Sequence, residues 1–264
     1  MRALAFDGFR QWCEQVERDL DPGAQMLHFL RQEVPSATEA EWYQVEALTS
    51  TASTLALNIC RQAGKSSTLA AMGVRELQAG GTTIALCPAE RQVRELTRKV
   101  QLYLRATDLI VERGTQSEIE CNTGGRFIAV PASGATIRGY TASRLLVDEA
   151  AWIQDDESII TALLPMLTDN GTVVYASTPA GRNNFFARLF LDRKPNDGIH
   201  RITVPGTSIP RLASRVERLR QQLSATRFRQ EVLGEFLADG TSYFDLSAIE
   251  QATNPQEGAV CPRM

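Results

Sequence analysis

Histidine and lysine are scarce in this sequence. Its 264 residues hold two histidines, His28 and His200, and three lysines, Lys65, Lys99 and Lys194. Two histidines leave little room for a histidine-rich metal site or a Ser-His-Asp triad. The five cysteines, Cys13, Cys60, Cys87, Cys121 and Cys261, are odd in number and show no Cys-x-x-Cys spacing. That argues against a disulfide scaffold or a structural zinc site and fits a reducing compartment. No apolar run reaches the roughly 18 residues that span a bilayer, and the acidic start is unlike a signal peptide. A surplus of positive charge is also missing. The 28 Lys and Arg against 31 Asp and Glu leave a net charge of −3, which excludes a generally basic nucleic-acid coat but not a local basic face. Internal repeats and low-complexity segments are absent too. The expectation is a soluble, cytoplasmic protein without a membrane partner. What remains is ordinary globular composition, 43% hydrophobic and 22% charged, sufficient for a stable core without disulfides.

Residues 1–50 read as helical, with four arginines against nine acidic residues. Pro22-Gly23 and Pro35-Ser36 divide them into helices over about Leu4–Leu20, Ala24–Glu33 and Thr38–Leu48, with Ser36 or Thr38 as the cap of the third. From Thr54 onward short apolar runs alternate with amphipathic stretches. The runs are Leu55–Cys60, Thr82–Cys87, Phe127–Val130, Arg144–Val147 and Thr172–Ala176. The helical stretches between and after them are Lys65–Gln78, Ala89–Leu104, Asp156–Leu167 and Asn183–Leu191. Continuous apolar runs joined by helices predict an α/β fold with a mainly parallel sheet covered on both faces. Residues 201–231 carry seven arginines against two glutamates. Arg211, Arg215 and Arg218 fall at helical spacing, as a solvated face or as a DNA or subunit contact. After Gly240 the chain turns polar and loop-like.

The sharpest local signal is Arg61-Gln62-Ala63-Gly64-Lys65-Ser66, between an apolar run and a helical stretch. A loop of this kind directs backbone N–H groups of a helix start at phosphates, while the lysine reaches the β/γ-phosphates and the serine hydroxyl ligates magnesium. The first glycine of the usual motif would fall at Ile59, so a plain strand-to-helix turn using Gly64 is the alternative. Leu145-Leu146-Val147-Asp148-Glu149 is an apolar strand ending in two acids. Asp148 would hold the magnesium and Glu149 would deprotonate the attacking water. Ser177-Thr178, at the end of another apolar run, would sense the γ-phosphate; turn chemistry before Pro179 is the alternative. Arg138, ahead of Gly139, would stabilise transition-state charge in cis or from a neighbouring subunit, with Arg61 as the competitor. Gln44, beside Trp42 and Tyr43, offers the donor and acceptor that adenine needs.

In this order, the pieces resemble the ATPase domain of phage terminase large subunits, the DNA-packaging motor. The resemblance runs from about Trp42 to Phe236. It rests on Gln44, on Arg61 to Ser66, on Leu146-Val147-Asp148-Glu149-Ala150-Ala151, on Ser177-Thr178-Pro179-Ala180-Gly181, and on Phe228-Arg229-Gln230-Glu231 with Gly234-Glu235-Phe236. That family also lacks the first glycine, so the departure becomes support. The resemblance implies adenine contact for Gln44 and phosphate contact along Arg61, Gln62, Ala63, Gly64, Lys65, Ser66 and Ser67. It implies magnesium on Ser66 and Asp148, a catalytic Glu149, coupling through Ser177 and Thr178, and a trans-acting finger at Arg138. Full-length relatives carry a nuclease domain. Here Asp245 is the sole aspartate beyond residue 240, and Gly240-Thr241-Ser242-Tyr243-Phe244 looks like that domain's beginning, so no nuclease activity is expected.

The combined expectation is an ASCE-type P-loop NTPase. Its parts are a helical region at 1–50, an ATPase domain at 51–240 and the start of a missing nuclease domain at 241–264. It would hydrolyse Mg2+–ATP and drive double-stranded DNA into a procapsid in the bacterial cytoplasm. Its partners would be its own copies in a ring, the portal and the small subunit. Arg91, Arg94, Arg98, Lys99 and the Arg211–Arg220 helix are candidate DNA patches. A helicase-like translocase and a non-catalytic nucleotide-binding remnant are the competing readings.

Overall fold

A computed structural model describes residues 21–132, 139–153 and 156–238. Two helices lead in, α1 (Pro22–Glu33) and α2 (Trp42–Thr49). Then follow β1 (Thr54–Ile59), α3 (Lys65–Gln78), β2 (Thr82–Cys87) and α4 (Glu90–Leu104). The strands β3 (Val111–Gly114), β4 (Glu118–Cys121), β5 (Arg126–Pro131) and β6 (Ala142–Asp148) come next. The remainder is α5 (Asp156–Leu163), β7 (Leu167–Ser177), α6 (Phe185–Leu191), β8 (Ile199–Val204), α7 (Ala213–Gln222) and α8 (Ala225–Glu231).

The strands form one sheet in the order β3-β4-β5-β2-β6-β7-β1-β8. From β5 to β8 every pairing is parallel, while β3 and β4 add an antiparallel hairpin at one edge. One strand, β7, lies between β1, which feeds the Gly-Lys-Ser loop, and β6, which ends in Asp148. The three strand ends are in register, Asp148 opposite Ala176 and Asn58 opposite Ser177. All three motifs therefore meet at one edge of the sheet, the carboxyl ends of parallel strands, where α/β sheets bind ligands.

The pleat explains the strand sequences. Leu55, Leu57, Ile59, Leu146 and Val174 face the core under α1 to α4, whereas Ala56, Leu145, Val147, Val173 and Tyr175 face the core under α5 and α6. Both faces are dry, so the buried middles of the central strands are predominantly apolar on both sides of the pleat.

The structure corrects several expected boundaries. Helix α2 begins at Trp42, capped by Glu41 whose N–H donates to Gln44 Oε1 at 3.1 Å, so neither Ser36 nor Thr38 caps it. The helix expected over Asp156–Leu167 stops at Leu163, because Pro165 lies in the 3-10 turn that follows and cannot continue an α-helix. Strand β7 then starts at Leu167. The hairpin β3–β4 and the edge strand β8 were not legible as apolar runs, since β3 is exposed throughout and β8 carries His200 and Arg201. The helix expected over Leu4–Leu20 and the segment after Gly240 lie outside the described residues. Among the described residues no helix is long and apolar enough to cross a membrane, and Cys60, Cys87 and Cys121 are buried free thiols.

Candidate active site

The loop between β1 and α3 is built on two left-handed residues, Gln62 at φ 62° and Gly64 at φ 89°. Only glycine takes that conformation without cost, and at position 64 a Cβ would also stand 2.9 Å from Gln44 Nε2. The first intrahelical bond of α3 is Thr68 N–H to the Gly64 carbonyl at 2.9 Å. The amides of Lys65, Ser66 and Ser67 are therefore left open at the helix start, as anion binding requires. From below, the Tyr43 hydroxyl donates to the Ala63 carbonyl.

Lys65 is 7% exposed, and its ammonium lies 3.2 Å from Glu149 Oε1. Asp148, 5% exposed, accepts the Glu149 N–H at 3.0 Å. Burial first, and the adjacent Glu149 charge second, raise the Asp148 carboxyl to about 6; Lys65 opposes the shift. Glu149 itself sits at φ 50°, a strained conformation for a residue with a side chain. Ser177 Oγ lies 3.4 Å from Glu149 Oε2, donates to the Thr178 carbonyl at 2.7 Å and accepts the Ala151 N–H at 3.2 Å. The Thr178 hydroxyl is buried without a hydrogen-bond partner.

A cleft of about 920 Å³ opens beside Lys65 and Glu149, with Gln44, Gly64, Ser66 and Arg211 also in its wall. Sequence reasoning had not placed Arg211 there. It lies in the 3-10 turn Pro210–Leu212, before α7 begins, and its Nε meets Glu41 Oε1 at 2.6 Å. So Arg211 is no part of a shared arginine face with Arg218. No local signal reveals this, because the contact spans 170 residues. Lys99 is also withdrawn from the expected DNA patch. Its ammonium meets Glu33 at 2.7 Å and Ser67 Oγ at 3.1 Å inside the cleft. Arg91, Arg94 and Arg98 remain exposed.

Other expected contacts are geometrically indirect. Gln44 is 1% exposed and its carbonyl oxygen already caps α2, leaving its amide nitrogen under Gly64. Tyr43 is buried beneath the loop and supports it. The Ser67 hydroxyl turns to Glu33, and the Arg61 guanidinium turns to Glu231. Arg138 lies outside the described residues.

The donor set suits a hard divalent cation. Ser66 and Asp148 supply oxygen only, and no cluster of three His, Cys, Asp or Glu forms a self-sufficient cage among the described residues. Magnesium keeps waters and borrows phosphate oxygens, so it needs no such cage.

The family model described as terminase large subunit, T4likevirus-type, N-terminal, matches residues 57–251. No curated protein matches. Among solved structures, the Thermus phage P74-26 large terminase ATPase domain is 21% identical over 75% of this chain and 94% of its own, with a TM-score of 0.66. The large terminase of a thermophilic bacteriophage in complex with ADP is 15% identical over 74% of this chain and 53% of its own, with a TM-score of 0.61. The HK97 bacteriophage large terminase is 14% identical over 76% of this chain and 52% of its own, with a TM-score of 0.61. This chain spans about half the length of the latter two. At these identities the likeness is one of fold, a mostly parallel P-loop sheet of the ASCE type.

Proposed function

Since the chain belongs to the terminase large-subunit family, through its N-terminal part, we propose that it hydrolyses Mg–ATP and couples the energy to moving double-stranded DNA into a procapsid. The observation that carries the catalytic assignment is the meeting of Lys65 and Glu149 at 3.2 Å. It supports reading Lys65 as a phosphate-binding cation and Glu149 as a proton acceptor, beside the buried Asp148 carboxylate at the end of β6.

In this reading the open amides of Lys65, Ser66 and Ser67 and the Lys65 ammonium bind the triphosphate. Ser66 and Asp148 hold magnesium, which when bound neutralises charge on the phosphate oxygens. Glu149 accepts the proton of the attacking water at its carboxylate. Ser177 connects that carboxylate to Thr178, and so ties its position to the strand end. Gln44 meets the base through its amide nitrogen. Arg61 leaves Glu231 before it reaches phosphate. Arg138 of a neighbouring subunit completes the charge balance. The DNA contact is local, through exposed arginines such as Arg91, Arg94 and Arg98, because the net charge is −3. The portal, the small subunit and the chain's own copies in a ring are the remaining partners, in the cytoplasm of the bacterial host. The proposal covers the ATPase domain, residues 51–240, with 1–50 as its helical lead-in and 241–264 as the start of the next domain.

The test is magnesium-dependent ATP hydrolysis as a function of protein concentration, with Lys65→Ala as the blank. A rate per subunit that climbs with concentration is expected. A flat rate would overturn the shared site, and no turnover above the blank with portal and DNA present would overturn the motor.

A further inference from the structure

We propose that Arg211 is a positioning residue for the phosphate-binding loop: it holds the Gln62 peptide in its left-handed shape and links the chain after β8 to the nucleotide. The proposal rests on the reading of this loop as a nucleotide site. Gln62 is the one side-chain-bearing residue of the loop with positive φ, at 62°. Such a residue persists only where its surroundings hold it. Arg211 provides that hold from outside. Its Nη1 donates to the Gln62 carbonyl at 3.4 Å while its Nε donates to Glu41 Oε1 at 2.6 Å. Beneath it, the Tyr43 hydroxyl donates to the next carbonyl of the loop, that of Ala63. Glu41 is fixed in turn by the start of α2, where its N–H is paired with Gln44 Oε1 at 3.1 Å.

One planar guanidinium thus joins three parts of the molecule: the cap of α2, the crest of the loop and the turn before α7. A lysine could meet Glu41 or Gln62, but its single ammonium lacks the rigid fork that meets both. The same segment is clasped to the loop a second time, by the Arg61–Glu231 ion pair. Arg211 is the half of this connection that touches the loop's strained peptide.

Calorimetric titration of the full chain with ADP and magnesium tests this. Arg211→Ala should bind about ten-fold more weakly, the scale of one charge-assisted hydrogen bond, and Arg211→Lys should recover part of the loss. The decisive variant is Arg211→Ala combined with Gln62→Gly. Glycine takes positive φ without help, so the double variant should regain most of the affinity. An arginine that merely props the fold, or one that contacts nucleotide directly, would not be rescued at position 62, and absence of rescue overturns the proposal. Unchanged affinity in Arg211→Ala overturns it too. Lys65→Ala separates the two layers. Should wild type bind ADP no better than Lys65→Ala, the nucleotide reading itself falls, and this inference with it.

Discussion

Three side chains carry the proposed chemistry, and their environments differ in ways that can be measured. Glu149 is partly open to the cleft and pairs with Lys65, whereas Asp148 is sealed against bulk solvent. Glu149→Gln keeps the shape but removes the base. Its hydrolysis rate should drop by roughly 10²–10⁴ while ADP binding, read by calorimetry, survives. Equal rates for wild type and Glu149→Gln would remove Glu149 from catalysis. Asp148 supports a stability prediction. Its carboxyl is raised to about 6, against about 3.9 in an unfolded chain. The folded state therefore binds the proton more tightly. The favourable contribution is complete below about pH 4 and is lost as pH rises through about 6. Asp148→Asn is neutral throughout, so in EDTA at about pH 8 it should be more stable than wild type by up to about 3 kcal/mol. The gain should vanish near pH 4. Thermal melts at both pH values check the sign.

The phosphate-binding loop is the element on which the rest depends. It is short, has two left-handed residues and is held by contacts from α2, β8 and the turn at Arg211. Gly64 satisfies the φ of 89° and also lets Gln44 approach. Gly64→Ala should cost about 1–3 kcal/mol in folding stability and weaken Mg–ADP binding by at least about ten-fold, read by denaturant unfolding and calorimetry. Tyr43→Phe removes only the hydroxyl bonded to Ala63. Its cost should be about 0.5–1.5 kcal/mol, with a smaller loss of affinity than Gly64→Ala. The reverse ranking would mean that the floor of the loop, not its left-handed turn, sets the geometry. Helix α3 can carry the loop because it is locked to the sheet. Gly73 admits the Phe127 ring, where a Cβ would stand 2.9 Å away.

At the scale of the whole molecule the sheet order decides function. Placing β7 between β1 and β6 leaves room for Ser177 to stand between the loop and Glu149. In the proposed cycle a change at the phosphates would pass along β7, and the Arg61–Glu231 and Arg211–Glu41 pairs tie the loop and α2 to the segment holding α7 and α8. In the ring proposed above, Arg138 of the next subunit would complete the site. Mixing Arg138→Ala chains with wild type should lower the activity of the mixture below simple dilution. Activity that falls only in proportion to the wild-type fraction would place the finger in cis.

The chain's own order of residues determined the three chemical motifs and most of the buried strands. Gly-Lys-Ser after an apolar run, Asp-Glu ending another and Ser-Thr ending a third are local patterns, and strands buried on both faces announce themselves as unbroken apolar text. Helix α3 matched its expected limits at both ends because the left-handed Gly64 precedes it and the left-handed Gly80 follows its cap. Edge strands escaped notice, since an edge tolerates polar residues such as Glu112, Arg113 and His200. Tertiary structure alone decided which side chains reach the cleft. Arg211 and Lys99 read as surface cations and turned out to be held by Glu41 and Glu33, whereas Tyr43, which read only as a neighbour of Gln44, turned out to support the loop from below. The physical reason is the same in each case. A backbone pattern is written by near neighbours, but the partner of a charged side chain is chosen by the fold, from any point along the chain.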